Sequence, residues 1–385
     1  MLLLKNADVF APESLGIKDI LIEGERIVKI SNKIDISMDE ELIEIIDLEN
    51  KKLIPGIIDQ HVHITGGGGE AGSSSRVPES NLSDFIKSGV TTALGLLGTD
   101  GISRSLENLY AKAKALNEEG ITCFMETGSY AYPSPTVTGS VEKDIYMLDV
   151  CIGAKIAVSD HRGSNITSEE LIRLVSEARR GGLISKKAGI VTIHMGIGKK
   201  RLAPVMEAIA ESDLPIKNFI PTHVNTRSQE LLDDCIEFAK LGGTMDFTAG
   251  GSVEDNMKEA DRIFYLLEKG VGEEFITVSS DAFGSQPRFD DKGNTIGLTY
   301  QTSITLLYFL KALDSKGMNL SQSLKFFTKN PARVLGLEGI KGEISIGADA
   351  DFVVLDENLN INDVIAKGKV AMKDKNLLMK GRFEI

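Results

Sequence analysis

The alternation of apolar and polar positions changes character twice along this chain. Residues 1–54 carry short period-two runs such as DILIEG and RIVKIS, separated by Gly, Asn and Asp turn signals and lacking a long helical period. Residues 338–385, from GEISIGADADFVVLD to GKVAMKDKNLLMKGRF, read the same way. The two ends are predicted to pair as one small β-sandwich-like domain.

Over residues 55–337 the pattern becomes β-run, loop, helix, repeated. Strand candidates are GIIDQHVH near 56, TTALGLLG near 91, ITCFMETG near 121 and IGAKIAV near 152, followed by IVTIH near 190, KNFIPTH near 217, GTMDF near 243 and FITVSSD near 275. Segments with i, i+3, i+4 apolar spacing, among them SEELIRLVSEARRGG and SQELLDDCIEFAKLGG, lie between most of them. Several begin on Ser or an acidic first turn and finish at Gly, as caps require. Eight β-runs alternating with helices predict an α/β fold, a closed (β/α)8 TIM barrel rather than an open doubly wound sheet.

Composition narrows the function. A chain of 385 residues, 42% hydrophobic, supports a large core. A formal charge of -13 opposes binding to nucleic acid or to an anionic membrane surface. MLLLKNADVF breaks at Lys5, too early for a signal-peptide apolar region, and no run approaches the roughly 20 apolar residues of a membrane span. Cys123, Cys151 and Cys235 are odd in number and far apart, which suggests neither a disulfide framework nor a zinc knuckle. The reading is a cytoplasmic enzyme of small substrates.

Four of the five histidines end proposed strands: His61 and His63 the first, His194 the fifth, His223 the sixth. In a parallel barrel these ends converge on one rim. His61 and His63 alternate, so both face one side of the strand and can share a metal. Asp281, directly after the eighth strand, faces the same rim; alone it reads as a cap or turn residue, but beside four histidines it reads as ligand and general base. Lys155 interrupts the apolar IGAKIAV. Periodicity leaves two explanations open, a lysine snorkelling to the rim or a functional buried amine.

PGIIDQHVH, the lone lysine of the fourth strand, the later histidines, Asp281 and GEISIGADADFVVLD together resemble the amidohydrolase superfamily, over essentially the whole chain. The resemblance implies that Lys155 reacts with CO₂ to a carbamate bridging two Zn²⁺ ions. His61, His63 and Asp281 would hold one ion, His194 and His223 the other. A metal-bound hydroxide would attack an amide, with Asp281 as proton shuttle, because zinc brings the pKa of its water towards about 7.

Within the superfamily, HITGGGGEAG is similar to the loop of isoaspartyl dipeptidases, where exposed backbone and a Glu meet the substrate's α-amino group; Gly68 and Glu70 match. That resemblance implies that Tyr130 polarises the scissile carbonyl, that Thr99 and Ser285 hold the aspartyl α-carboxylate, and that Arg162 binds the carboxylate of the leaving amino acid. The family's arginine three residues after the sixth-strand histidine is replaced by Thr226, with Arg227 one later, a one-residue insertion that still delivers Arg227. His161 has no assigned role. A β-linked dipeptide is the implied substrate, and a homo-oligomer as large as an octamer the implied assembly. Two alternatives are a cyclic-amide or N-acyl amino acid hydrolase and a metal-free scaffold paralogue. A dihydroorotase would place an Arg soon after the HxH pair, where Ile64 and Thr65 stand.

Overall fold

The computed structural model describes residues 1–35, 43–289 and 295–384. Eight parallel strands form the barrel: β1 (Ile57–Val62), β2 (Val90–Gly95), β3 (Thr122–Gly128), β4 (Cys151–Val158), β5 (Ile190–Met195), β6 (Phe219–Thr222), β7 (Met245–Thr248) and β8 (Ile276–Ser279). They are hydrogen-bonded in that order. Most are buried along their whole length, because helices cover the outer face and neighbouring strands close over the inner one. This explains why they read as apolar runs.

The crossover helices begin where the sequence offers a cap. Ser105, Ser228 and Ser252 accept from a backbone N–H of the first turn, and Thr167 forms a capping box with Glu170. Shorter helices at Leu82–Lys87 and Val141–Met147 span too few turns to show a period in the sequence. No helix among the described residues is long and apolar enough to cross a membrane.

The barrel interior is graded. At the bottom, Ile58, Leu94, Ile152, Ile190 and Ile220 pack on Ala332, Val334 and Leu335. Above them lies a polar layer in which Asp246 accepts from Gln60 Nε2 (2.8 Å), Thr277 Oγ1 (2.8 Å), Thr222 Oγ1 (2.7 Å) and Ser279 Oγ (2.6 Å). The histidines crown it.

Closure between β8 and β1 relies on side chains as much as on backbone. One bridge joins Val62 to Ala282, and His63 N donates to Ala282 O at 2.9 Å. Ser280 N donates to Asp59 Oδ1 at 3.1 Å and Gln60 Nε2 donates to Thr277 Oγ1 at 2.7 Å.

Both chain ends meet in a separate nine-stranded mixed sheet. Lys52–Pro55, which leads into β1, pairs antiparallel with Phe352–Leu355 and so stitches the two ends together. Its core is Leu4, Val9, Ile20, Ile22, Leu53, Phe352 and Val354. Lys341, 3% exposed, ties this sheet to the barrel: its Nζ meets Asp349 Oδ2 at 2.7 Å and Thr122 Oγ1 of β3 at 2.8 Å, with Asp351 as a third partner.

An additional hairpin, Gln286–Phe289 with Thr295–Thr299, follows β8 and had no counterpart among the predicted strands. Its return leads to Tyr300, whose ring stacks on Phe283 at 5.7 Å.

Candidate active site

His61 ends β1, His63 follows it, and Asp281 lies two residues past β8, so the seam between first and last strand brings the three together. Asp281 Oδ1 is 3.4 Å from His61 Nε2 and 3.2 Å from His63 Nε2. One ligand atom from each of the three falls within 4.8 Å of the others, a spacing that suits a cation. The His223 ring centroid is 4.9 Å from that of His61 and 4.6 Å from that of His194. Lys155 Nζ, fully buried on β4, is 3.2 Å from His61 Nε2. All six residues expected to be linked to metal therefore converge on one rim. His223 (φ 63°) and Asp281 (φ 52°) adopt left-handed backbone, which is uncommon outside glycine and frequent at functional sites.

His61, His194 and Asp281 are held in the protonation states a divalent cation requires. Burial, reinforced by the Lys155 charge, holds His61 well below its ordinary pKa, and burial brings His194 down to about 3 against the pull of Asp160. Burial alone would raise Asp281, but the His63 hydrogen bond and the neighbouring imidazoles hold it below the usual carboxylate range. Neutral imidazoles and an ionised carboxylate are metal-binding forms.

Hydrogen bonds also aim the rings. Thr222 gives its hydroxyl proton to Asp246, so its lone pairs face His61 Nδ1 at 3.4 Å and leave Nε2 towards the centre. Thr248 Oγ1 meets His223 Nδ1 at 2.6 Å. His63 Nδ1 is buried with no hydrogen-bond partner.

Of the two readings of Lys155, the snorkelling one fails: the amine is sealed in the interior. Burial lowers its pKa to about 8, opposed by the charge of Glu126 on β3. Glu126 is itself pushed up to about 8 by burial, and its Oε1 accepts from Thr192 Oγ1 at 2.7 Å.

Above this cluster opens a cavity of about 580 Å³, lined by Gly68, Glu70, Thr99, Tyr130, Arg162, Arg227 and Ser285 together with His63, His194, His223 and Asp281. Gly68 sits at φ +81°, and a Cβ there would lie 2.3 Å from Ser75 O, so the loop can approach this closely only as glycine. Arg104, buried beneath, donates to the carbonyls of Thr65 and Val77 and pins both ends of that loop. Thr99 Oγ1 is buried without a partner.

Tyr130 OH is 2.6 Å from His194 Nδ1, and burial keeps the phenol far above its ordinary pKa, a donor at any physiological pH. Arg162 lies across the Tyr130 ring at 5.4 Å, and its Nη1 is 3.8 Å from Glu70 Oε1. Arg227, one position later than expected, does reach the cavity: its Nε donates to Met195 O at 2.7 Å and its Nη2 lies 3.4 Å from His194 Nε2. His161, by contrast, points outward, 79% exposed.

Sequence reasoning missed Asp160. Its Oδ1 accepts from Arg162 Nε at 2.9 Å, while its Oδ2 accepts from Arg162 Nη2 at 2.9 Å and faces His194 Nε2 at 3.1 Å. The available signal was an acidic residue two positions before a candidate substrate arginine, just past a strand end. Glu126 and Arg104 carried no motif at all.

Residues 53–381 match the model of the amidohydrolase family. The crystal structure of a β-aspartyl dipeptidase from Fervidobacterium islandicum AW-1, solved with the dipeptide β-Asp-Leu, superposes with a TM-score of 0.91 at 45% identity, covering 98% of this chain and 97% of that one. A D-hydantoinase from Thermus sp. shares the fold with a TM-score of 0.63 at 18% identity, covering 100% and 98%. A dihydroorotase from Pediococcus pentosaceus is 32% identical over 112 residues, which are 29% of this chain and only 25% of that enzyme. The chain belongs to the amidohydrolase family. Within it, it stands among the metal-dependent β-aspartyl dipeptidases.

Proposed function

We propose that the protein hydrolyses β-linked aspartyl dipeptides. The observation that carries this reading is Arg227, a half-buried guanidinium on the cavity wall with no ion-pair partner among the described residues. A partly desolvated cation without a counter-charge is costly, and a substrate carboxylate would relieve it. A dipeptide with a free α-carboxylate, a free ammonium and a second carboxylate offers charges for Arg227, Arg162 and Glu70 together. A neutral cyclic amide leaves Arg227 unmatched.

On this reading His61, His63, Asp281, His194, His223 and Lys155 as its carbamate hold two divalent ions, taken as zinc. Bound there, the ions supply Lewis acidity that polarises the amide and makes water nucleophilic at neutral pH. Asp281 takes the proton from the attacking water and returns it to the leaving amine. Tyr130 donates to the carbonyl oxygen as charge builds on it. Glu70 and the backbone at Gly68 grip the ammonium, Thr99 and Ser285 the α-carboxylate, and Arg162 with Arg227 the carboxylate of the leaving amino acid. The working form is taken as a cytoplasmic homo-oligomer.

The β-linkage follows from the spacing of these charges. In a β-aspartyl dipeptide the ammonium and α-carboxylate stand one methylene beyond the scissile carbonyl; an α-linked isomer lacks that free carboxylate and brings its amine nearer the bond. Misplacement by about 1 Å can cost roughly 10²-fold. Metal-analysed protein should therefore show kcat/KM for β-Asp-Leu about 10²-fold or more above that for α-Asp-Leu, with Glu70→Gln selectively reducing the former at unchanged metal content. Equal values for the two isomers, or faster cleavage of hydantoin or dihydroorotate, would refute the assignment.

A further inference from the structure

Both ring nitrogens of His194 meet strong partners, and these make opposite demands. Tyr130 OH faces Nδ1 at 2.6 Å. Around Nε2 stand the Asp160 carboxylate at 3.1 Å, Arg162 Nη2 at 3.1 Å and Arg227 Nη2 at 3.4 Å. Guanidinium groups offer only N–H and a carboxylate offers only lone pairs. A protonated Nε2 suits Asp160, whereas a bare Nε2 suits the arginines. The two tautomers leave opposite nitrogens free for a cation.

Asp160 is built to win this contest. It is buried, and it occupies Arg162 on two sides, Nε to Oδ1 and Nη2 to Oδ2, both at 2.9 Å. Its Oδ1 also accepts from the Arg162 backbone N–H at 2.8 Å. The arginine nearest His194 thus already has its acceptor, and the remaining capacity of Oδ2 points at Nε2. Tyr130, a donor, then meets the single lone pair of a bare Nδ1, and a cation that takes this lone pair releases the hydroxyl for the substrate carbonyl.

We propose that Asp160 is a positioning residue that keeps the His194 proton on Nε2, leaving Nδ1 as the ligating atom, while the same carboxylate aims Arg162 into the substrate cavity. One buried brace thereby serves metal retention and anion recognition together. The inference rests on His194 being a metal ligand of the proposed peptidase, but its first test needs no substrate and so can fail or succeed separately from that reading.

The first test is ¹⁵N NMR of histidine-labelled, full-length, zinc-loaded protein. With five histidines in the chain, His194 is assigned by difference against His194→Asn. Protonated Nε2 with metal-shifted Nδ1 is expected; protonated Nδ1 with metal on Nε2 overturns the proposal, whatever the behaviour of any Asp160 variant.

The second compares Asp160→Asn with Asp160→Glu. The asparagine variant should release zinc to a chelator about 10- to 100-fold more readily, as loss of a residue supporting a metal-bound histidine does. It should also raise KM for β-Asp-Leu while lowering kcat, and the glutamate variant should recover part of the metal retention. A carboxylate that merely braced its loop would shift the unfolding midpoint and leave zinc retention of the folded protein unchanged, and that outcome also overturns the proposal.

Discussion

Asp281 combines two duties that a single substitution separates from fold. It bridges His61 and His63, and it is the carboxylate nearest the reacting water in the proposed mechanism. Asp281→Asn should lower kcat by about 10²–10⁴-fold, the usual contribution of a general acid-base group, with KM little changed. Steady-state kinetics alongside metal analysis checks this, and near-normal turnover with full metal content would remove Asp281 from the chemistry. For Lys155 the sign of a pH effect follows from its pKa of about 8. Only the neutral amine attacks CO₂, so at fixed dissolved CO₂ the metal-free chain should take up ¹³C label about tenfold faster per pH unit below that value and level off above it. A flat profile between pH 6 and 8 would show that the amine is not the reacting group.

The residues legible in the sequence were those whose type is informative at a strand end: His61, His63, His194, His223, Asp281 and the misfit Lys155. Asp160 was not legible, because an acidic residue after a strand has the appearance of any turn, and only the fold shows that it reaches back to His194. Arg227 lay between these extremes, displaced by one residue from its expected position yet delivered to the cavity wall.

At the scale of elements, period and punctuation identified all eight barrel strands, because full burial of a parallel strand leaves an apolar run bounded by polar turns. The hairpin after β8 escaped because its strands are only four and five residues long, too short to give an alternation to read. Taken alone, a GGGGE stretch is more often a mobile surface loop; at Gly68 the positive φ and 2.3 Å clearance to Ser75 O admit no side chain. Gly68→Ala must displace the loop that carries Glu70. A shift of about 1 Å there should reduce kcat/KM for β-Asp-Leu by roughly 10²-fold, mainly through KM, with two metals still bound. Loss of metal instead would mean that the loop supports the ligands rather than the substrate.

The whole molecule depends on two junctions. One is Lys341, whose ammonium joins Asp349 and Asp351 beside the terminal sheet to Thr122 at the start of β3. Lys341→Met leaves the buried Asp351 carboxylate without its cation, while Asp349 keeps Arg26, and removing one partner of a buried pair typically costs about 3–5 kcal/mol. A fall of that size in urea-denaturation stability is expected, with kcat of the folded protein preserved because the junction lies at the opposite end of the barrel from the rim. The arrangement also explains why the terminal strands could be assigned to one small domain from sequence pattern while the tether could not: a lone lysine on a polar stretch has no signature.

The other junction is the seam between β8 and β1, and it sets a timetable for the living protein. His63 is made 218 residues before Asp281, the partner with which it forms a candidate cation site. During most of its synthesis, therefore, a growing chain displays two histidines and no carboxylate to complete them. The candidate cation site can be completed only after the chain has been made past the eighth strand. A truncated product that stops short of residue 281 cannot complete this candidate site.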